Sequence, residues 1–261
     1  MKIALVSLDQ VWEDKNLNWK KCKHYIYKVL EHKAEIIIFP ETTLTGFSTN
    51  VSKNSEKKSE SITLARFQKE ARKNSIAIVF GMIVEEKKSF FNKVFFISCT
   101  GDIIGEYSKI HTFSNAGEDK VIKSGNEIIV VEYKNYKIGM SICYDLRFPE
   151  LYSAIGRRSD LIVNIANWPK KRAGHWNTML SSRAIENQIF VAGVNRIGID
   201  GNGLEYVESS TMYNANGERV KAYIELSGVK IYDIKKKDQK KYREEFGTIK
   251  DRKIEFYKRI L

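Results

Sequence analysis

Short apolar runs alternate with longer amphipathic stretches along most of the chain, and this alternation constrains the fold more than any other feature. KIALVSL (2–8) and AEIIIFP (34–40) have the length of buried strands, and residues 16–32 between them have helical periodicity. The same order recurs further on, where strand-like LIVNIAN (161–167) precedes a helical pattern at 175–187. Because strands that alternate with helices are typical of α/β domains, the sequence predicts an α/β fold.

The other elements follow from the same patterns. Further strands are predicted at 76–84, 92–98, 103–107, 127–133, 137–142 and 189–195, and further helices at 61–74 and from about 148. The polar segment 49–60 predicts an exposed loop, and NANG (214–217) predicts a hairpin turn. Since no repeat or linker interrupts the chain, we expect one domain over 1–261, with 235–261 as a charged, partly helical tail or dimer arm.

The cysteines and the apolar stretches of the sequence indicate where in the cell the protein is expected. No stretch approaches the roughly 20 apolar residues that a membrane span needs, and the start MKIALVSLDQ lacks the pattern of a cleaved signal peptide. Cys22, Cys99 and Cys143 are far apart and form no CxxC pair, which disfavours a disulfide framework and a thiolate metal site. We therefore expect a cytoplasmic protein with free thiols, no metal and no membrane partner.

The formal net charge of +12 raises the alternative of a nucleic-acid partner. Lysines are spread over the chain with acids between them, and the densest basic run, KKKDQKK (235–241), is followed by YREEF, as on a solvated helix face. Neither an RNP-type aromatic motif nor a helix-turn-helix pattern is evident. Basicity alone indicates non-specific contacts, so we interpret it as a lysine-rich surface and expect no nucleic-acid partner.

Three chemically reactive residues stand where predicted strands end. Glu41 follows IIIFP, Lys109 follows GEYS, and Cys143 follows KIGMSI. Singly, each has an ordinary structural explanation, since a buried cysteine is usually inert and a glutamate at a strand end is usually a cap or an ion-pair partner. Ligands of α/β sheets gather at the carboxyl ends of strands, so the three together predict one reactive site.

The three residue types fit nucleophilic catalysis on a carbonyl or nitrile carbon. A thiol at a strand-to-helix corner lies near a helix N-terminus, which favours the thiolate, so Cys143 is the candidate nucleophile. Glu41 is the candidate general base, which can also return the proton to a leaving group. Lys109 and the backbone N–H of Tyr144 are the candidate donors to the negative oxygen that forms in the transition state.

A cysteine–histidine enzyme is the competing interpretation. His111 lies two residues beyond Lys109, and His175 precedes a predicted helix, so either could pair with Cys143. The residues around Cys143 lack the papain-like and caspase-like signatures, which counts against this alternative but leaves it open.

Three motifs resemble those of the nitrilase superfamily of carbon–nitrogen hydrolases. FPETTLTGF (39–47) is similar to the glutamate motif of that family, YSKIHTF (107–113) to its lysine motif, and ICYDLRFPELY (142–152) to its cysteine motif. Further stretches resemble the omega-amidase branch: NWP (167–169), HWNTMLSSRAIENQIFVAGVNR (175–196) and DGNG (200–203). The resemblance covers nearly the whole chain. It implies a four-layer α-β-β-α sandwich that assembles into a homodimer or larger homo-oligomer.

The resemblance also implies roles for individual residues. Cys143 is similar to the nucleophile, Glu41 to the general base and Lys109 to the oxyanion-stabilising lysine. Glu118, in SNAGEDK, resembles the second glutamate that helps to orient the lysine and the substrate. The implied reaction is hydrolysis of a linear amide through a thioester with release of ammonia. Water and a small-molecule amide are then the only reactants, and no cofactor is expected.

The resemblance also bears on the substrate. Omega-amidases act on short dicarboxylate monoamides such as alpha-ketoglutaramate and succinamate, so a cation should meet the distal carboxylate. Arg147 is the first candidate and Arg172 the second, because a guanidinium can bind a carboxylate through two hydrogen bonds. Trp168 and Tyr144 are candidates for the pocket wall. Relatives with the same three catalytic residues cleave N-carbamoyl amino acids or nitriles, so both alternatives stay open.

Overall fold

The computed structural model describes residues 1–260, whose strands form two large sheets and one small hairpin. The strands are β1 (Lys2–Val6), β2 (Ile36–Ile38), β3 (Glu56–Lys57), β4 (Ala77–Glu86), β5 (Ser89–Ile97), β6 (Ile103–Ser108), β7 (Val130–Tyr133), β8 (Tyr136–Ile142), β9 (Leu161–Ala166), β10 (Phe190–Asn195), β11 (Gly198–Ile199), β12 (Glu205–Tyr206), β13 (Thr211–Tyr213), β14 (Ile224–Leu226) and β15 (Val229–Asp233). The helices are α1 (Lys15–Leu30), α2 (Val51–Asn54), α3 (Ile62–Asn74), α4 (Pro149–Gly156), α5 (Ala173–Asn187), α6 (Lys236–Glu245) and α7 (Ile254–Ile260).

Each large sheet has a parallel centre. The first has the strand order β14-β15-β1-β2-β4-β5-β6, with β3 paired to β4, and its strands β1, β2 and β4 are parallel. The second has the order β13-β10-β9-β8-β7, with β8, β9 and β10 parallel. Strands β11 and β12 form the separate hairpin. Parallel neighbours bring their carboxyl ends to one edge of a sheet, which is where the candidate residues lie.

The two sheets pack face to face with helices outside them. Ile38 and Val79 of the first sheet belong to the same buried cluster as Ile142 and Val163 of the second. The outer face of the first sheet packs against α1 and α3, and that of the second against α4 and α5. The central strands are thus buried on both faces, which accounts for their apolar runs without alternation. The predicted four-layer α-β-β-α sandwich is confirmed.

Local sequence signals fix several helix boundaries. The carboxylate of Asp14 accepts hydrogen bonds from the backbone N–H groups of Asn16 and Leu17 at the start of α1. The hydroxyl of Ser61 caps α3 in the same way, and α4 begins at Pro149, which has no N–H to satisfy. Predicted and observed bounds of most elements accordingly agree to within a few residues.

The segment 49–60 is largely exposed, as predicted, but the prediction that it is a loop is wrong. This segment contains α2, β3 and a 3₁₀ turn over Lys58–Glu60. The carboxylate of Glu56 accepts hydrogen bonds from Lys15, Ser61 and Thr63. The polar residues that signalled a loop therefore bond to the body of the protein and order the segment.

The C-terminal tail packs against the outer helices. The Gln239 side-chain nitrogen and the Arg243 guanidinium both donate to the backbone oxygen of Gln188, just beyond α5. Arg252 donates to the hydroxyl of Ser153 on α4. A dimer arm at 235–261 stays a prediction. Within residues 1–260, no helix is long and apolar enough to cross a membrane.

Candidate active site

Glu41, Lys109 and Cys143 lie close to one another at the ends of strands from both sheets. Glu41 follows β2, Lys109 comes directly after β6, and Cys143 directly after β8. Nζ of Lys109 lies 3.0 Å from Oε1 of Glu41, and both side chains are buried. Lys109 and Cys143 line the same cavity. The structure thus brings together the three residues that the sequence placed at separate strand ends.

A close backbone approach fixes the segment that carries Glu41. A Cβ atom on Gly81 of β4 would lie 2.8 Å from the backbone nitrogen of Thr42, so only glycine lets the two segments pack this tightly. The N–H of Thr43 donates to the oxygen of Gly81 at 2.8 Å. The side-chain nitrogen of Gln10 donates to the backbone oxygens of residues 41 to 43. These contacts hold the carboxylate of Glu41 rigidly in the site.

Glu118 completes a buried charge cluster. Nζ of Lys109 lies 2.8 Å from Oε2 and 3.0 Å from Oε1 of Glu118, and the N–H of Phe113 donates to Oε2 at 2.7 Å. Burial alone would lower the pKa of Lys109, but the negative charges of Glu118 and Glu41 outweigh it and raise the pKa above its ordinary value. Lys109 is therefore an ammonium held between two carboxylates.

Two asparagines in this cluster were missed by the sequence analysis. Nδ2 of Asn92, on β5, donates to Oε1 of Glu41 at 2.7 Å and to Oε1 of Glu118 at 3.0 Å. The N–H of Asn167, after β9, donates to Oε2 of Glu41 at 2.9 Å. The sequence does contain a sign of both residues: one asparagine lies inside the apolar run FFNKVFF and the other ends LIVNIAN. Because buried polar groups need hydrogen-bond partners, a polar residue in such a run indicates a buried polar contact.

The backbone at Cys143 makes a sharp turn out of β8. Its φ angle is +46°, a left-handed conformation that is strained for any residue with a Cβ atom, and a 3₁₀ turn follows over Cys143–Arg147. Oδ2 of Asp145 accepts hydrogen bonds from the N–H of Ile142 at 3.0 Å and from the hydroxyl of Tyr107 at 2.7 Å. These bonds clamp the turn and aim the thiol at the cavity.

The expectation of a thiolate at Cys143 is wrong for the resting site. Burial raises the pKa of the Cys143 thiol well above its ordinary value, and the negative charge of Glu41 adds to this, while Lys109 opposes it. The helix start is a five-residue 3₁₀ turn, and α4 begins only at Pro149, so little helix dipole acts on the sulfur. The nucleophile candidate is a thiol that needs a base.

The histidines of the alternative mechanism have other partners. Nδ1 of His111 lies 2.9 Å from Oδ1 of Asp145, and the His111 ring stacks on Phe148. Nδ1 of His175 lies 3.5 Å from a guanidinium nitrogen of Arg147. Within residues 1–260, neither histidine is hydrogen-bonded to Cys143, so the geometry favours Glu41 over a histidine as the base.

A cavity of about 60 Å³ opens at Cys143, and all four predicted substrate-binding residues line it: Tyr144, Arg147, Trp168 and Arg172. The Arg147 guanidinium lies 4.9 Å from the ring centre of Trp168 and 5.8 Å from that of Tyr144. The guanidinium of Arg172 lies over the ring of Phe113 at 5.6 Å. Among residues 1–260, no acidic side chain forms an ion pair with either arginine, so both can receive an anion.

Seven further residues line the cavity that were not predicted from the sequence: Phe47, Phe113, Ala116, Asn167, Pro169, Leu204 and Tyr206. Leu204 and Tyr206 belong to the hairpin region of β11 and β12, where the hydroxyl of Tyr206 donates to Asp200 at 2.8 Å. They come from segments far from the cysteine in sequence. Only the three-dimensional fold places them beside it.

A family model described as carbon-nitrogen hydrolase matches residues 2–244. The chain belongs to the carbon-nitrogen hydrolase family. Omega-amidase YafV of Yersinia enterocolitica is 34% identical over 84% of this chain and 83% of that protein. The 2-oxoglutaramate amidase of Bacillus subtilis is 32% identical over 75% of this chain and 76% of that protein.

A solved structure supports the same assignment. The crystal structure of XC1258 from Xanthomonas campestris, described as a CN-hydrolase superfamily protein with an arsenic adduct in the active site, has a TM-score of 0.90 and 30% identity, covering 97% of each chain. The resemblance to the nitrilase superfamily and the prediction of a carbon–nitrogen hydrolase enzyme are confirmed. The roles of individual residues and the choice of substrate stay predictions.

In this carbon–nitrogen hydrolase, the charge cluster consists of two carboxylates and one ammonium. Within the part of the chain that the structure describes, no group of three or more His, Cys, Asp or Glu residues is arranged to hold a metal ion. Glu41 and Glu118 would be the carboxylate ligands nearest the cysteine, but the ammonium of Lys109 occupies the space between them. A cation site here is already filled by a side chain.

Proposed function

We propose that the chain hydrolyses the terminal amide of a short dicarboxylate monoamide of the alpha-ketoglutaramate or succinamate type. The observation that carries this proposal is the pair of guanidinium groups, from Arg147 and Arg172, that line the cavity of Cys143 without an acidic partner among residues 1–260. The relatives named omega-amidase and 2-oxoglutaramate amidase support the same class of substrate.

The first half of the proposed reaction leads to a tetrahedral intermediate. Glu41 takes the proton of the Cys143 thiol, and the sulfur attacks the amide carbon, so that a C–S bond forms and the carbonyl electron pair moves to oxygen. The ammonium of Lys109 and the N–H of Tyr144 stabilise that oxygen. The raised pKa of Cys143 makes proton transfer to Glu41 part of the attack, because free thiolate is scarce at rest.

The second half releases the products. Glu41 returns the proton to the amide nitrogen, the C–N bond breaks, and ammonia leaves a thioester on Cys143. Glu41 then takes a proton from water, whose oxygen attacks the thioester carbon. The C–S bond breaks, the sulfur recovers its proton and the carboxylic acid leaves. Glu118 contributes by holding Lys109 in place throughout.

Substrate selection is proposed to depend on the arginines. Arg147 binds the distal carboxylate, Arg172 adds a second positive charge, and the rings of Trp168 and Tyr144 keep the Arg147 guanidinium over the cavity. A neutral amide of the same length would leave the guanidinium groups without a partner.

The experiment is ammonia release from succinamate, with butyramide as the neutral analogue of similar length and Cys143→Ala as the inactive reference. We expect release by the wild type only, and faster release from succinamate than from butyramide. N-carbamoyl-β-alanine and propionitrile test the two related activities. The proposal fails if the wild type cleaves either of these and not succinamate, or if it releases no more ammonia than Cys143→Ala from any amide.

A further inference from the structure

Asn92 touches every charged member of the cluster without belonging to the cavity. It lies in β5, is fully buried, and its Nδ2 donates to Oε1 of Glu41 and to Oε1 of Glu118. The same two oxygens bind Nζ of Lys109, each at 3.0 Å. The backbone oxygen of Asn92 also accepts from the N–H of Lys109 at 2.9 Å. One residue therefore joins both carboxylates and the lysine.

The chemistry of the amide suits this position. Two carboxylates and one ammonium leave the cluster with one net negative charge, and like charges this close repel each other. A second cation between them would relieve the repulsion but would add a charge that neutralises the cluster. An amide nitrogen has two hydrogens and no charge, so it can donate once to each carboxylate and leave the net charge unchanged.

We propose that Asn92 is a positioning residue. Its amide holds the carboxylates of the base Glu41 and of Glu118 in fixed positions around the ammonium of Lys109. The inference rests on the proposed function and adds a residue to it. Without the amide, each carboxylate loses a donor, binds a proton more readily and is free to rotate. As the pH is lowered, kcat/KM should then fall at a higher pH than in the wild type. KM should stay nearly unchanged, because Asn92 does not line the cavity.

The test compares Asn92→Ala and Asn92→Asp with Asn164→Ala in the full chain. Asn164 is a matched control, because it is also fully buried and its Nδ2 donates to two acceptors, Ser141 at 3.1 Å and Tyr152 at 3.0 Å, which are neutral. Two readouts are followed against pH. One is kcat and KM on the amide that the wild type cleaves, and the other is the rate at which iodoacetamide alkylates Cys143, measured by peptide mass.

For Asn92→Ala we expect kcat to fall about tenfold or more with KM nearly unchanged, from the loss of hydrogen bonds to charged groups. The pH below which kcat/KM falls should rise by about one unit, and so should the pH below which the alkylation rate falls. Asn92→Asp keeps the volume but adds a third carboxylate, so it should be at least as inactive at neutral pH. Asn164→Ala should lower the free energy of unfolding but leave the pH dependence of kcat/KM and of alkylation unchanged on the acidic side.

Three results would overturn the inference. These are an unchanged pH dependence on the acidic side in Asn92→Ala, an equal shift in Asn164→Ala, or higher activity in Asn92→Asp than in Asn92→Ala, which would mean that Asn92 only fills space. If Asn92→Ala does not fold, the isosteric Asn92→Asp decides by its activity and its alkylation profile. Alkylation needs no substrate, so it still tests Asn92 if the wild type proves inactive on every amide and the proposed function fails.

Discussion

Oε2 of Glu118 lies 2.8 Å from Nζ of Lys109, and both side chains are shielded from water. Glu41 binds the same ammonium from the other side, so the lysine charge is shared between two carboxylates. Hydrogen bonds to two carboxylates fix the ammonium at two points, so the second glutamate holds Nζ of Lys109 beside the first one.

We expect Glu118→Gln to lower kcat about tenfold or more, because Lys109 would lose the charged partner that holds its ammonium in place. Steady-state kinetics on the cleaved amide measure this. The control is Asp119→Asn, which removes a charge from the exposed neighbouring residue and should leave kcat unchanged. Equal effects of the two substitutions would contradict the role of Glu118.

The clustering of Glu41, Lys109 and Cys143 could be predicted because each follows a predicted strand and their motifs are specific. Glu41 and Cys143 follow apolar runs that form buried strands, and Lys109 follows the edge strand β6. Asn92 could not be assigned a role in this way, since its importance lies in the two carboxylates that it contacts, which come from segments far apart in sequence. The protonation of Cys143 was predicted wrongly, because burial and the charge of Glu41 outweigh a short helix start.

The left-handed backbone at Cys143 predicts an effect on stability that is separate from catalysis. Both Cys143→Ala and Cys143→Gly should be inactive, but the glycine variant should be more stable than the alanine variant by about 1 kcal/mol, since only glycine adopts a φ of +46° without strain. Urea denaturation compares them. Ala166→Gly, at a buried strand position without positive φ, should lose stability. A loss of similar size in Cys143→Gly relative to Cys143→Ala would exclude strain at the turn.

Arg147 should discriminate between charged and neutral amides. We expect Arg147→Ala to raise KM about tenfold or more for succinamate, because a hydrogen-bonded ion pair with the substrate carboxylate is lost, and to change KM for butyramide little. The control is Arg157→Ala, an exposed arginine at the end of α4. Equal losses on both amides would assign Arg147 a structural role.

Glu56 predicts a pH dependence of folding that is independent of the active site. Burial would raise the pKa of Glu56, but hydrogen bonds from Lys15, Ser61 and Thr63 outweigh it and lower the pKa from 4.5 to about 2. Because the pKa is lower in the folded state, this carboxylate stabilises the fold above pH 4.5. The contribution is lost as the pH falls from about 4.5 towards 2.

We therefore expect Glu56→Gln to lower the free energy of unfolding by about 2 kcal/mol at pH 7, since the partly screened bonds to a charged group are lost. Urea denaturation at pH 7, 5 and 3 should show the gap from the wild type closing as the pH falls. Glu60→Gln, at an exposed position of the same segment, should show no gap at any pH. A gap for Glu56→Gln that stays constant down to pH 3 would mean that packing of the side chain, and not its charge, orders residues 49–60 against α1 and α3.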